Sequence, residues 1–207
     1  MINVSFYLRR LHSLCGLVML GVVLVEHLLT NASAMGGAEA FNQGLEMMEL
    51  IPAPIFLAIE ICLYAVPILF HGIYGIMIAL DAKNNVGGYG YSRNWKFALQ
   101  RYTAWYLVVF LIWHVGYLRI YTKGIMGTPI SYQLVQDTIS NPIVFVLYLI
   151  GMFAAIFHFC NGITTFCMTW GIAKGPRAQC VVDKMAMGLC AAMCLMTVAF
   201  MASYFVH

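Results

Sequence analysis

The chain has 207 residues, of which 62% are hydrophobic and only 9% charged, with a formal net charge of +3 at pH 7 and a mean hydropathy of +0.84. Soluble domains carry about a quarter charged residues, so an ordinary cytosolic protein is excluded and the chain belongs in a bilayer. The polar connections are too short for a nucleotide-binding loop or a catalytic head, so any soluble chemistry must come from a partner.

A membrane-crossing helix needs about 20 mostly apolar residues, and five stretches meet that requirement. The first covers roughly 11–31 and holds one acid, Glu26. The second, 54–80, holds Glu60, and the third, 99–121, contains a charge-free gap of 17 positions between Arg101 and Arg119. Between Asp137 and Lys174 there are 36 uncharged positions. Asn141-Pro142 marks the start of that gap, and no turn signal interrupts Ile143 to Trp170. Proline favours a first helical turn, so this predicts one long, tilted span over 142–173. The last span covers 183–206, since no charge follows Lys184. The expected fold is an all-α membrane protein, a single five-helix transmembrane domain over 1–207.

Lysine and arginine orient the bundle. A cytoplasmic N-terminus puts Arg9, Arg10, Lys83, Arg93, Lys96, Arg101, Lys174, Arg177 and Lys184 inside and leaves Arg119 and Lys123 outside. That distribution satisfies the positive-inside rule and the reverse violates it, so the C-terminal His207 is expected outside. The N-terminal region also mimics a secretory signal, with Arg9-Arg10, an apolar run and Ala32-Ser33-Ala34 as a cleavage site. The Glu26-His27 pair embedded in the run favours a retained first helix. None of the seven cysteines forms Cys-x-x-Cys or Cys-x-x-Cys-His, which leaves them as packing thiols, including Cys190 and Cys194 on one face of the last helix.

Ionisable groups inside a membrane are costly and usually functional. His27, His71, His114 and His158 fall inside four different spans. His27 lies 4 residues before Asn31 and His114 lies 5 before Arg119, so a rise of about 1.5 Å per residue puts both about 6 to 8 Å from the outer boundary. His71 follows Pro54 by 17 residues and His158 follows Pro142 by 16, which sets both about 24 to 26 Å from that boundary. A zinc or copper centre would gather its ligands at one depth. Two pairs at two depths suit two bis-histidine b haems stacked across the membrane, each held between facing helices. Gly16, Gly21, Gly72, Gly75, Gly116, Gly151 and Gly162 permit the close approach a flat macrocycle needs, although they also serve ordinary helix packing. With both axial positions filled, electron transfer rather than gas binding is the expected work.

Several local sequences carry a resemblance. They are Phe6-Tyr7 with Arg9-Arg10-Leu11-His12-Ser13, Gly37-Ala38-Glu39-Ala40-Phe41-Asn42, Ala82-Lys83-Asn84-Asn85, Arg93-Asn94-Trp95, Leu99-Gln100-Arg101, and His158-Phe159 with Asn161-Gly162. In these the chain resembles, along nearly its whole length, the five-helix di-haem cytochrome b membrane subunit of succinate:menaquinone and quinol:fumarate oxidoreductases. The resemblance implies an inner haem on His71 and His158 and an outer haem on His27 and His114. It also implies a flavoprotein and an iron-sulfur subunit docked on the cytoplasmic face of a bacterial inner membrane, with menaquinone as the exchangeable substrate. The chain would be the quinone-reactive subunit of an enzyme complex, inactive alone. Some relatives place a carboxylate two residues before the fourth ligand, on a proposed proton route, whereas this chain has Ile156.

Glu26, Glu46, Glu49 and Glu60 are the candidates for proton exchange with quinone, and the sequence does not choose among them. Arg9, Arg10, His12, Arg93 and Arg101 could neutralise inner-haem propionates and Arg119 outer ones, although interfacial basic residues also serve as topology anchors. Two other functions compete. One is the cytochrome b subunit of a formate dehydrogenase or hydrogenase; the other is a haem-free anchor or transporter, which would be colourless.

Overall fold

The computed structural model of the protein describes residues 4–206, apart from the side chain of Glu49, so His207 and the carboxylate of Glu49 lie outside the described residues. Every regular element among the described residues is helical, and five stretches are long and apolar enough to cross a membrane: Val4–Met48, Ala53–Asp81, Ser92–Ile125, Pro142–Thr169 and Gly175–Ser203.

The first stretch changes pitch along its length. α1 (Val4–Leu14) passes through a wider π-helical turn at Cys15–Met19 into α2 (Leu20–Ala32), which tightens to a 3-10 turn at Ser33–Gly36. Gly37, at φ 85°, then turns the chain into α3 (Gly37–Glu49), a conformation that favours glycine. α3 is too polar to read as a span, with Glu39, Gln43 and Glu46 between its apolar positions. Phe41 and Leu45, four residues apart, point one face into the core. The second crossing joins α4 (Ala53–Ile59) through π turns at Glu60–Ala65 to α5 (Val66–Asp81). The third is α6 (Ser92–His114), which widens into a π segment at Val115–Ile125 directly after His114.

A short α7 (Tyr132–Ser140), capped by the Ser131 hydroxyl accepting from Leu134 N at 3.3 Å, precedes the fourth crossing. α8 (Pro142–Thr169) starts where the Asn-Pro signal places it. Asn141 Oδ1 accepts from the backbone N–H groups of Ile143 at 2.9 Å and Val144 at 3.3 Å, and Pro142 occupies the first turn, where its missing N–H costs nothing. The helix ends at Thr169 rather than near 173. Gly171 is at φ 71°, and Ile172 N and Ala173 N fold back to the Cys167 carbonyl at 2.9 and 3.0 Å, satisfying the end of the helix. α9 (Gly175–Ser203) begins well before 183, with Pro176 in its first turn. Charged residues such as Arg177 and Asp183 mark where a helix leaves hydrocarbon, not where it stops being a helix. The same distinction explains why α6 begins at Ser92 rather than 99.

α8 is the spine of the bundle and packs along α9, α6 and α7. Its Ile156 and Cys160 are completely buried, facing a core that includes Met193 and Phe200 of α9, Phe110 of α6 and Leu28 of α2. The second crossing lies against α1 and α6 with a single fully buried residue, Pro67. It presents Leu57, Leu63, Leu69 and Ile73 outward, as a lipid-facing helix does. Cys15 Sγ donates to the Pro67 carbonyl at 3.5 Å, and Cys160 Sγ lies 4.0 Å from Met193 Sδ. Cys190 and Cys194 are half-buried against the core, whereas Cys62 and Cys180 are exposed and take no part in it.

At the end where α2 and α9 finish and α8 starts, α3 and α7 close over the bundle. Asn42 Oδ1 accepts from Tyr132 N at 2.9 Å, Gln136 donates to the Tyr204 carbonyl at 2.6 Å, and the rings of Phe41, Tyr132 and Tyr204 meet with centroids 4.8 to 6.1 Å apart.

Candidate functional site

Four spans each carry one histidine, His71, His114 and His158 half-buried and His27 more exposed, and the rings meet in two pairs. His27 of α2 faces His114 at the end of α6 with centroids 5.9 Å apart and planes at 78°. His71 of α5 faces His158 of α8 at 6.1 Å and 83°. Among the described residues no three His, Cys, Asp or Glu side chains converge on a common metal site.

That spacing suits a metal between the rings of each pair. Imidazole–metal bonds of about 2 Å and a ring half-width of about 1 Å on each side put two opposed ring centroids roughly 6 Å apart. Hydrogen bonding also selects the ring nitrogen left for the metal. His71 Nδ1 donates to the His12 carbonyl at 3.1 Å, which leaves Nε2 with its lone pair. His158 Nδ1 lies 3.3 Å from Thr103 Oγ1. The Thr103 hydroxyl gives its single proton to the Leu99 carbonyl at 2.8 Å, so toward His158 it acts as acceptor and the free nitrogen is again Nε2. His114 Nδ1 contacts the Tyr148 hydroxyl at 3.2 Å. Outer hydrogen bonds of this kind orient metal-binding histidines.

Glycine makes room where it is needed. A Cβ on Gly16 would stand 2.3 Å from His71 Cε1, so the ring occupies the space a side chain would take. Gly21 receives Phe159 in the same way at 2.5 Å, and Gly151 receives Phe110 at 2.5 Å. Beside Gly72, Gly116 and Gly162 there is open space within 4 Å. Gly16 sits in the Cys15–Met19 π turn, and another π segment starts one residue after His114. Such widenings insert an extra residue into a turn and have no sequence signature, so residue spacing alone does not reveal them.

The six basic candidates divide by what they already touch. Arg119 holds Glu60 in a two-armed ion pair, Nε to Oε1 at 2.7 Å and Nη2 to Oε2 at 2.5 Å. Arg93 donates to Gln179 Oε1 at 3.2 Å, and the Arg10 guanidinium lies 5.0 Å from both the Phe6 and the Trp170 ring centroids. Arg9 is exposed along a groove of about 360 Å³ between α1 and α5 that Asp81 and Tyr74 also line. The Arg101 guanidinium lies 3.3 Å from the Phe97 ring centroid and donates through Nη1 to the Phe97 carbonyl at 2.7 Å, but its Nε, like His12 Nε2, is buried with no hydrogen-bond partner among the described residues. Buried nitrogens without partners are uncommon and costly; propionate oxygens would accept from Arg101 Nε–H and from His12 in the tautomer that carries its proton on Nε2.

Of the acids, Glu26 accepts from Thr30 at 3.0 Å within α2 and from Tyr64 on the second crossing at 3.3 Å. Glu60 is committed to Arg119, and Glu46 is exposed on α3. Sequence reasoning missed Thr103 and Tyr148, whose hydroxyls read as ordinary span residues. It also missed Gln100 beside His158: its side chain donates to the His158 carbonyl at 3.0 Å and accepts from Asn161 at 2.8 Å.

That last contact joins two of the sequence motifs, Leu99-Gln100-Arg101 and Asn161-Gly162, across the α6–α8 interface. Residues 89–200 match the family described as the succinate dehydrogenase/fumarate reductase transmembrane subunit. The chain belongs to this family. Among its relatives is the succinate dehydrogenase cytochrome b558 subunit of Bacillus subtilis (strain 168), 42% identical over 177 residues that span 86% of each chain. No solved structure matches. Two further motif contacts tie the bundle together. Ser13 accepts from Trp170 Nε1 at 3.0 Å, linking α1 to the end of α8, and Asn42 ties α3 to α7.

Proposed function

We propose that this subunit is the cytochrome b membrane anchor of a bacterial succinate dehydrogenase complex and holds two b haems, one between His71 and His158 and one between His27 and His114. The observation that carries this reading is the two pairs of neighbouring imidazoles, centroids 5.9 and 6.1 Å apart, with Nδ1 of His71 and His158 in hydrogen-bond contact so that Nε2 is left for a metal. When bound, the haems supply one-electron transfer across the bilayer between an iron-sulfur partner and menaquinone. The chain's own part is to hold the four imidazoles in place, to exclude water with the apolar core around Phe110 and Ile156, and to meet propionates with His12 and Arg101.

The nine-to-two distribution of basic residues supports a cytoplasmic N-terminus. His71 and His158 then form the inner pair, near a cytoplasmic face where the flavoprotein and iron-sulfur partners dock. Quinone chemistry falls near the outer pair, with Glu26 the carboxylate closest in sequence to a ligand. Family membership favours those partners over the molybdenum or nickel enzymes of a formate dehydrogenase or hydrogenase.

The test is a reduced-minus-oxidised spectrum of the purified complex together with a pyridine haemochrome assay. Two b haems per chain is the expected result. A correctly folded, colourless preparation would make the four histidines structural and leave a haem-free anchor.

A further inference from the structure

His12 reaches the candidate site in a way that no propionate contact requires. Its ring lies flat on His71, centroids 4.1 Å apart and planes at 6°, while its own carbonyl accepts from His71 Nδ1 at 3.1 Å. One residue thus holds the ring of its neighbour both at an edge and over a face. The opposite side of the arrangement is fixed as well. Gly16, one turn after His12, leaves the slot into which the His71 Cε1–Nδ1 edge fits, and a Cβ on Gly75 would come 3.1 Å from His12 Nε2, so the two rings are wedged between two glycines.

A ring ligating through Nε2 is otherwise free to turn about the bond that attaches it. The hydrogen bond from Nδ1 limits that turning, and a parallel ring at stacking distance limits it further. At the other pair the corresponding ring, His114, lies nearly parallel to Phe110 at 5.6 Å and 9°, a looser stack.

We propose that His12 is the positioning residue of the inner haem ligand: its imidazole face locks the plane of His71 nearly perpendicular to that of His158. This rests on the haem reading above. Perpendicular axial imidazoles on low-spin ferric haem give a strongly anisotropic EPR signal, and the signal loses anisotropy as the planes rotate toward parallel. The inner-haem signal therefore reports the angle that His12 is inferred to hold. The outer haem serves as an internal reference.

The experiment compares the full complex carrying His12→Leu, which fills the space without offering a flat face, with His12→Phe, which keeps a flat ring and has no nitrogens. Low-temperature EPR of the oxidised complexes should show the inner-haem signal shifted to lower anisotropy or broadened in H12L and restored toward wild type in H12F. The outer-haem signal should be unchanged in both. If H12L leaves the inner signal unmoved, or if H12F shifts it as far as H12L does, the positioning role is wrong even though both haems are present. Absence of haem from the wild-type complex would instead remove the haem reading itself. Should H12L fail to assemble, Gly75→Ala, which presses on His12 Nε2, supplies the same comparison with the imidazole retained, and an unmoved inner signal there overturns the inference.

Discussion

Replacing Gly16 by alanine should cost the complex its inner haem and spare the outer one. The new Cβ would lie 2.3 Å from His71 Cε1 and 2.7 Å from Nδ1. To regain an ordinary carbon–carbon separation of about 3.5 Å the ring must retreat by roughly 1.2 Å. The 3.1 Å hydrogen bond from Nδ1 to the His12 carbonyl cannot survive a shift of that size in the retreating direction. Loss of that bond costs about 1 kcal/mol, and overpacking a fitted site costs about 1–3 kcal/mol. The sum, about 2–4 kcal/mol, corresponds to a roughly 30- to 1,000-fold loss of affinity, from within to above the 10–100-fold loss typical of removing an outer-sphere support. The assay is haem per chain by pyridine haemochrome, with a spectrum resolved by stepwise reduction, on G16A complex purified in parallel with Gly188→Ala. A Cβ at Gly188 meets nothing within 4 Å, so that variant controls for alanine in a membrane helix. The expected result is close to one haem per chain in G16A and two in G188A. A G16A complex with two haems and an unaltered inner-haem spectrum would refute the slot.

Single replacement of His27 or His114 should remove the outer haem, and of His71 or His158 the inner; a His27→Ala complex that retains two bis-histidine haems would overturn the pairing. Tyr148→Phe takes away the hydroxyl 3.2 Å from His114 Nδ1, and should weaken outer-haem retention by about 10-fold, read by titrating haem loss in detergent. Because Ile156, two residues before His158, offers no group that exchanges protons, turnover in proteoliposomes should move uncompensated charge. An imposed potential, worth about 2.3 kcal/mol per charge per 100 mV, should therefore change the rate, and a rate indifferent to potential would count against this. Reporter fusions should give an external C-terminus and an internal loop after Asp81; the opposite pattern would reverse the orientation.

The spans were legible because a bilayer imposes length and apolarity together, and five stretches met both conditions. Their ends were not. Lys174, Arg177 and Lys184 suggested a break in polarity, while the backbone breaks only where Gly171 and Gly175 take positive φ. α3 and α7 escaped notice because short amphipathic helices at an interface carry too few apolar residues to stand out from loops. The histidines grouped by depth are the same ones whose rings lie 5.9 and 6.1 Å apart across the bundle. What residue spacing could not deliver was orientation around each helix. The π turns at 15–19 and 115–125 rotate everything beyond them, and only the folded chain reveals that His12 stacks on His71 or that Arg119 is spent on Glu60.

The second crossing has one fully buried residue, Pro67, in its 29. Side-chain packing therefore does little to anchor the helix that carries His71, while α8, which carries His158, is the most firmly embedded. A prosthetic group bonded to both would staple the loosest helix to the stiffest one, and ligand binding of this sort stabilises the form that binds. Newly made chain lacking the group would have a loosely held second crossing, the kind of element that opens first and meets proteases first. Supply of haem would then govern how much of the subunit persists in the membrane, and through it how many partner enzymes find a mooring.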